Sequence, residues 1–372
     1  MSAARSNADF NTALNGYRGL CALLVFVYHC GSAGVLGWPS GSWLAAGGSW
    51  LWSACRYGVE MFFMISGFVI LGSLLRHATV PSFLWDRCVR IFSAWVPTLL
   101  IVTAICIALQ MRYFAATTAF EATVLVLANL LLLPPFVPLP LVHPVSWSLS
   151  YEWVFYLTAA AALLLMRRSP RPVWAVPLWV SWAALFICLY PRALFFVTGV
   201  LVFHYRDWFA ARSKWLAGPL VSLLVFLIAW RFTDADEARL SRTVLDLLRD
   251  GSWIAAVVAF IAALHAFAAI CLNASRQTSW LNSRTFQFLG TISYSFYLWH
   301  SLVMAFTKRA VSAYVVPHFG ATLGFWAFVI TSLAIALPLS WLSWRCLEVH
   351  LAALLRRMVP RRPVIAGAVG VH

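Results

Sequence analysis

Tyr17-Arg18-Gly19-Leu20-Cys21-Ala22-Leu23-Leu24-Val25-Phe26-Val27-Tyr28-His29-Cys30 is an apolar segment that carries one guanidinium and one imidazole, in a chain otherwise built to avoid charge. Positions 18 and 29 are eleven residues apart, three helical turns to within about 20°. On a helix both side chains therefore lie on one face, about 16 Å apart along the axis. A cation near the membrane surface and a titratable ring near mid-bilayer share one stripe. Ionisable groups inside a spanning helix are costly and face a polar cavity, so this pair marks a candidate functional site.

The surrounding composition sets the class. The 372 residues are 62% hydrophobic and 10% charged, with a mean hydropathy of +0.83, whereas charged residues in soluble proteins approach a quarter. Apolar runs long enough to span recur at intervals of about 30 residues, unlike the short alternating segments of a transmembrane barrel. The expected fold is all-α, a polytopic integral membrane bundle. No polar stretch is long enough to bury a core of its own, so one membrane domain over 1–372 is expected. Its core runs over about 10–350, followed by a short basic cytoplasmic tail at 351–372. A cleaved secretory leader is not expected, because the first apolar run carries Arg18 and His29.

Eight cysteines are scattered through apolar runs with no C-x-x-C and no metal spacing, so they read as small core residues and no metal site is expected. The formal charge of +15 comes from short basic clusters at helix ends instead of one patch. This pattern points to positive-inside topology and anionic lipid contact, not to nucleic acid.

Candidate spans fall at about 14–34, 57–75, 90–110, 148–166, 173–190, 193–205, 215–230, 252–272, 287–307 and 321–344, about ten transmembrane helices in all. A further run, Ala122 to Leu133, is only about 18 Å long as a helix and leads into Pro134, Pro135, Pro138, Pro140 and Pro144. Were it to cross, every basic loop from Arg167 to Arg284 would face outward. It therefore reads as a re-entrant or interfacial segment on the outer side, with both termini cytoplasmic. Clusters Arg76/Arg87/Arg90, Arg167/Arg168/Arg171, Arg206/Arg212/Lys214, Arg276/Arg284 and Arg356/Arg357/Arg361/Arg362 then lie inside. The loop from Arg231 to Asp250 mixes four arginines with five acids, as suits an outer loop, while Lys308 and Arg309 break the pattern.

Several segments together resemble acyltransferase family 3, the membrane O-acyltransferases that modify cell-surface polysaccharides. Leu14-Asn15-Gly16-Tyr17-Arg18-Gly19 leading to Tyr28-His29 is similar to that family's opening Arg-x10-His signature. Gly58-Val59-Glu60-Met61-Phe62-Phe63-Met64-Ile65-Ser66-Gly67-Phe68, Arg87-Cys88-Val89-Arg90-Ile91 and Trp147-Ser148-Leu149-Ser150-Tyr151-Glu152 resemble successive later motifs. Ile292-Ser293-Tyr294-Ser295-Phe296-Tyr297-Leu298-Trp299-His300 resembles its late helix, and Arg345 with Glu348 its terminal one. Ser93 stands in the neighbourhood where the family often has proline, and no counterpart of the detachable hydrolase-like domain of some members is expected. The resemblance implies an enzyme of the bacterial inner membrane that moves an acyl group, acetyl in the first instance, from acyl-CoA. The acceptor it implies is a carbohydrate hydroxyl of an exopolysaccharide, lipopolysaccharide or lipid-linked precursor. Acetyl-CoA is then a substrate, with no permanently bound cofactor implied.

Acyl transfer needs a base near the acceptor oxygen, a cationic environment for the developing oxyanion and anchors for the donor's phosphates. His29 suits the base, since imidazole titrates near neutrality; the alternative is a hydrogen-bonded core histidine. Arg18 reaches the donor or the oxyanion, or else snorkels to the interface. Arg87 and Arg90, one turn apart at a helix start, form a fork suited to the phosphates of coenzyme A or a topological anchor. Glu152 orients His29, binds acceptor hydroxyls, or pairs with an arginine.

Glu60, Trp147, Ser148, Tyr297 and His300 complete the candidate substrate contacts; His300 is also a candidate second acid/base group, and packing is the competing role for it and for Trp147. Arg345 and Glu348 are expected to form a structural ion pair. The rival reading is an exporter of polysaccharide or lipid-linked intermediates, which would also need a polar intramembrane cavity, although no internal repeat supports it. A weaker third is a non-catalytic partner of a polysaccharide synthase.

Overall fold

The computed structural model describes residues 2–35, 43–77, 79–110, 114, 117–168, 170, 172–233, 242–272 and 274–358, with side chains from residue 12 onward except 43–47. Arg171, the loop residues 234–241 and the tail residues 359–372, which include Arg361 and Arg362, lie outside the described residues. Every described regular element is helical. In chain order they are α1 (Ser2–Ser32), α2 (Trp43–Ala54), α3 (Gly58–Arg76), α4 (Val80–Ala108), α5 (Ala119–Leu130), α6 (Trp147–Arg167), α7 (Ala175–Leu189) and α8 (Leu194–His204). There follow α9 (Arg206–Ala211), α10 (Pro219–Arg231), α11 (Val244–Arg249), α12 (Trp253–Cys271), α13 (Arg284–Tyr314), α14 (Val316–Ser343), a π-helical stretch Trp344–Leu351 and α15 (Ala352–Arg357). The protein is an all-α polytopic membrane bundle.

Among the described residues, five stretches are long and apolar enough to cross a membrane, built on α3, α4, α6, α12 and α14. Helices α7 and α8 add a sixth if taken as one span, but the chain turns through 119° between them. The remaining apolar runs of the sequence fall on α1 and α13, which carry polar side chains, and on α10, which at 13 residues is about 20 Å long. The short run after α4 is α5, twelve residues capped by Thr118 and Glu121 and followed by irregular chain to His143. Asn129 ties that irregular stretch together. Its amide donates to the carbonyls of Leu125 and Pro140 and accepts from the Val142 N–H, satisfying backbone that has no helix of its own.

Helices α1 and α13 form the most extensive pair, and the sequence shows why they approach closely. Glycines face carbonyls across the contact: a Cβ on Gly290 would lie 1.9 Å from the Asn15 carbonyl oxygen, and one on Gly19 2.6 Å from that of Phe286. Close approach lets polar groups cross-link the helices. The Asn15 amide donates to the Gln287 carbonyl at 3.0 Å and to Gln287 Oε1 at 3.1 Å, and Gln287 Nε2 donates to the Thr12 carbonyl at 2.9 Å. Around this pair, α3, α4 and α6 close the bundle, with Trp95, Tyr17, Tyr151 and Phe196 wholly buried.

One end of the bundle gathers arginines. Arg167 donates to the His77 carbonyl at 2.7 Å, and Arg356 lies 3.5 Å from Asp86. The opposite end carries His29 and the chain leading out of α5.

Candidate functional site

At the arginine-rich end, a cavity of about 280 Å³ opens between α1, α3, α4, α6 and α13. It is lined by Asn15, Arg18, Ser66, Arg87, Arg90, Ser148, Glu152, Tyr156, Ser293, Tyr294 and Tyr297 among others. Each comes from a helix face that the packing turns inward. Ser148, Glu152 and Tyr156 repeat at i, i+4, i+8 on α6, and Ser293, Tyr294 and Tyr297 share one stripe of α13.

The charged groups divide into held and open ones. Arg90 Nη1 meets Glu348 Oε2 at 2.7 Å, and its guanidinium lies 4.8 Å from the centre of the Tyr294 ring. Arg87 pairs with Asp86 and lies 5.8 Å from the Tyr156 ring. Glu152 Oε1 accepts from Ser66 Oγ at 2.7 Å and from the Tyr156 hydroxyl, and it makes no ion pair with a described arginine. Arg18 is half-buried and hydrogen-bonds to none of the described residues, in the field of Arg90, Glu348 and Glu152. Ser293 Oγ is likewise buried without a partner among them. An open guanidinium and an open hydroxyl in one cavity are groups available to a ligand.

A second hollow, lined by Asn15, Arg18, Arg90, Ser93, Glu348 and Arg356, adjoins the first at Asn15, Arg18 and Arg90. Together they make a cationic passage from the arginine-rich surface inward. At the far end of that passage stands Tyr297. Its hydroxyl donates to the Val145 carbonyl at 2.9 Å and lies 2.8 Å from Ser148 Oγ, joining α13 to the start of α6 as a wall.

Beyond the wall is a separate cavity, also about 280 Å³, lined by His29, Ser32, Cys106, His143, Ser301, Lys308 and Arg309 with apolar neighbours. His29 is half-buried there, and its ring centre is 5.2 Å from that of His300. His300 Nδ1 lies 3.0 Å from the Phe296 carbonyl, so in the neutral ring Nδ1 carries the proton. Its buried Nε2 is then an acceptor with no partner among the described residues.

Several expectations need correction. Arg18 and His29 share a helix but not a cavity; a rise of about 16 Å puts them at opposite ends of the site, so Arg18 cannot stabilise charge at an atom that His29 is deprotonating. Glu152 opens on the arginine side and does not orient His29.

Glu348 pairs with Arg90 instead of Arg345, whose guanidinium lies 5.7 Å from the Trp341 ring. The reason is the π-helical stretch, which rotates Glu348 away from the i−3 neighbour that an α-helix would give it. Arg87 and Arg90 line the cavity, yet each is held by a carboxylate and they are not a free fork. Glu60 lies outside the cavity, wholly buried against Arg192 at 2.7 Å with Trp230 Nε1 donating at 3.2 Å. Trp147 packs edge-on to Phe63 and Tyr151 with Arg192 5.3 Å from its ring, so it is part of the packing around that ion pair.

Sequence reasoning missed Asn15, Ser66, Tyr294, His143 and Arg356 as lining groups. His143 was the most legible of these, a lone histidine at the end of the proline-rich stretch; its Nε2 lies 2.9 Å from the Leu298 carbonyl.

A family model described as an acyltransferase domain matches residues 11–345, nearly the whole described bundle. The chain belongs to acyltransferase family 3. It is 26% identical over 330 residues to acyltransferase MdmB of Streptomyces mycarofaciens, covering 82% of this chain and 82% of that protein. It is 27% identical over 269 residues to exopolysaccharide production protein ExoZ of Rhizobium meliloti (strain 1021), covering 68% of this chain and 78% of that one. No solved structure matches the chain. Family membership makes the protein a membrane acyltransferase, and the family match contains both cavities.

Proposed function

We propose that the protein is an O-acyltransferase of the bacterial inner membrane, with both termini cytoplasmic. It takes an acyl group, acetyl in the first instance, from acyl-CoA at the arginine-rich end and transfers it to a carbohydrate hydroxyl at the His29 end. The acceptor is an exopolysaccharide, a lipopolysaccharide or a lipid-linked precursor. The observation that carries this reading is the pair of cavities at opposite ends of α1 and α13, one cationic and one holding imidazoles. The placement of sides follows the basic clusters, which favour the cytoplasm. The carbohydrate acceptor draws support from the name of the exopolysaccharide production relative.

The donor's phosphates suit the passage through Arg18, Arg90 and Arg356, where charge-assisted hydrogen bonds replace the solvent they lose. The thioester then lies deeper, beside Glu152, Ser293 and Tyr297. In the second cavity His29 accepts the proton of the acceptor hydroxyl as its oxygen attacks the thioester carbonyl. The C–S bond breaks, and the departing thiolate takes a proton back from the imidazolium, so charge and protons balance. Because Tyr297 and Ser148 stand between the cavities, the thioester must pass that wall to meet the acceptor.

Purified protein in detergent, given radiolabelled acetyl-CoA with and without candidate glycans, tests the reading. Glycan-dependent CoA release with label on the sugar is the expected result. Cells that export glycan normally only when the protein is present, with acyl content per sugar unchanged by its loss, would replace the enzyme with an exporter.

A further inference from the structure

We propose that His300 is a positioning residue for the base: its Nε2 accepts the ring N–H of His29 and so fixes which nitrogen of His29 faces the acceptor hydroxyl. The inference rests on the reading above for the reaction and adds the group that orients its base. Behind it stands an orphaned atom. His300 Nε2 is buried with no hydrogen-bond partner among the described residues, an arrangement that is costly unless a partner arrives. His300 is only 1% exposed and does not line the cavity, whereas the half-buried His29 does. Substrate in the cavity therefore meets His29 and not His300.

Tautomers decide which neighbour can fill the vacancy. With Nδ1 of the neutral His300 ring donating to the Phe296 carbonyl at 3.0 Å, Nε2 can only accept. His143 is no donor to it, because its own Nε2 faces the Leu298 carbonyl at 2.9 Å and leaves Nδ1 of the neutral ring an acceptor too. The Tyr297 hydroxyl, on a ring centred 5.8 Å away, donates to the Val145 carbonyl. His29 remains. Its ring hydrogen-bonds to none of the described residues, and it lies 5.2 Å from the His300 ring, centre to centre, at a tilt of 44°. Ring nitrogens stand about 1.2 Å from the ring centre, so two that face each other across this gap come within about 2.8 Å, hydrogen-bond distance. Rotation of His29 about the bond to its ring, a soft torsion, makes the contact.

A line then runs from the Phe296 carbonyl through His300 to His29 and on to the acceptor hydroxyl, with each nitrogen in a single role. The hydroxyl proton goes to the outer nitrogen of His29 as the acceptor oxygen bonds to the thioester carbonyl carbon. The imidazolium keeps its inner N–H on His300 and returns the outer proton to the departing thiolate. His300 itself neither gains nor loses a proton. In serine proteases a buried carboxylate sets the tautomer of the base; here a backbone carbonyl sets one imidazole and that imidazole sets the other.

Two near-isosteres separate this role from its rivals. Asparagine puts its amide at the level of Nδ1, keeping a donor for Phe296 but no acceptor in place of Nε2. Glutamine puts its amide at the level of Nε2 and restores the acceptor. His300→Asn should lower kcat about 10–100-fold, the scale of an outer-shell partner, with KM for donor and acceptor unchanged, and His300→Gln should recover most of that loss. The opposite order would reduce His300 to a helix contact with Phe296. Wild-type turnover in both variants would overturn the proposal, and so would turnover lost in both, since an amide acceptor then fails to replace Nε2.

A readout independent of turnover is the ring-nitrogen NMR spectrum of protein carrying isotope-labelled histidine, in lipid bilayers at mildly alkaline pH, with the His29 signals assigned by their loss in His29→Ala. Wild-type His29 should show one neutral tautomer, His300→Asn a mixture and His300→Gln one tautomer again. A mixture in the wild type, or a single tautomer in His300→Asn, would refute the positioning role. A fixed tautomer in a protein that transfers acyl groups to no acceptor would sink the acyltransferase mechanism while leaving the contact between His29 and His300 standing.

Discussion

Arg90 of α4 and Glu348 of the π-helical stretch meet at 2.7 Å across 258 residues of chain, and Glu348 Oε1 also accepts from the Ser295 N–H at 3.1 Å and hydroxyl at 2.7 Å. One carboxylate thereby locks three helices around the cationic passage. Glu348→Ala should cost about 2–3 kcal/mol, below a fully buried pair because Arg90 keeps some exposure. Arg345→Ala should stay within about 0.5 kcal/mol, as for an exposed side chain without a buried partner. Thermal unfolding in detergent checks both, and equal losses would restore the pairing of Arg345 with Glu348.

The separation of Arg18 from His29 predicts separable kinetics. Arg18→Gln should raise the apparent KM for acetyl-CoA more than that for the acceptor, because its open guanidinium lines only the donor side. A larger effect on the acceptor would refute the assignment of cavities.

His29→Ala should lower kcat by about 10²–10⁴ with acetyl-CoA binding retained, the range of a lost general base. Steady-state kinetics together with calorimetric donor binding measure the two quantities. Turnover at the wild-type rate would remove His29 from the chemistry.

Packing supplies a stability prediction. A methyl on Gly290 would sit 1.9 Å from the Asn15 carbonyl, so Gly290→Ala must push α1 from α13 and break the Asn15–Gln287 clamp. The expected cost is about 1–3 kcal/mol, as for overpacking elsewhere. An unchanged unfolding temperature would mean that the helices lie further apart.

Single cysteines in a cysteine-free background test the topology. Membrane-impermeant reagent applied to intact cells should reach positions 138 and 318 but not 170 and 213. The reverse pattern would put the arginine-rich passage outside and exclude cytoplasmic acyl-CoA as the donor.

What the sequence determined by itself was the all-α membrane class, the family and the faces of single helices, because these depend on local properties, whereas of about ten spans expected only five or six are long and apolar enough among the described residues. Length of apolar runs, charge at their ends and helical phase put Ser148, Glu152 and Tyr156 on one face and Arg18 in phase with His29. Ordered motifs along residues 10–350 pointed to the family that the match over 11–345 bears out. Only the tertiary structure decided how those faces combine, because helical phase says which way a side chain points and nothing about which helix it meets. Periodicity could not tell that Glu60 faces Arg192, 132 residues away, or that a π-helix turns Glu348 to Arg90. Nor could it tell that one stripe of α1 serves two cavities. Tyr297 and Ser148 meet across 149 residues to part Arg18 from His29, a division set by helix packing that no single segment encodes.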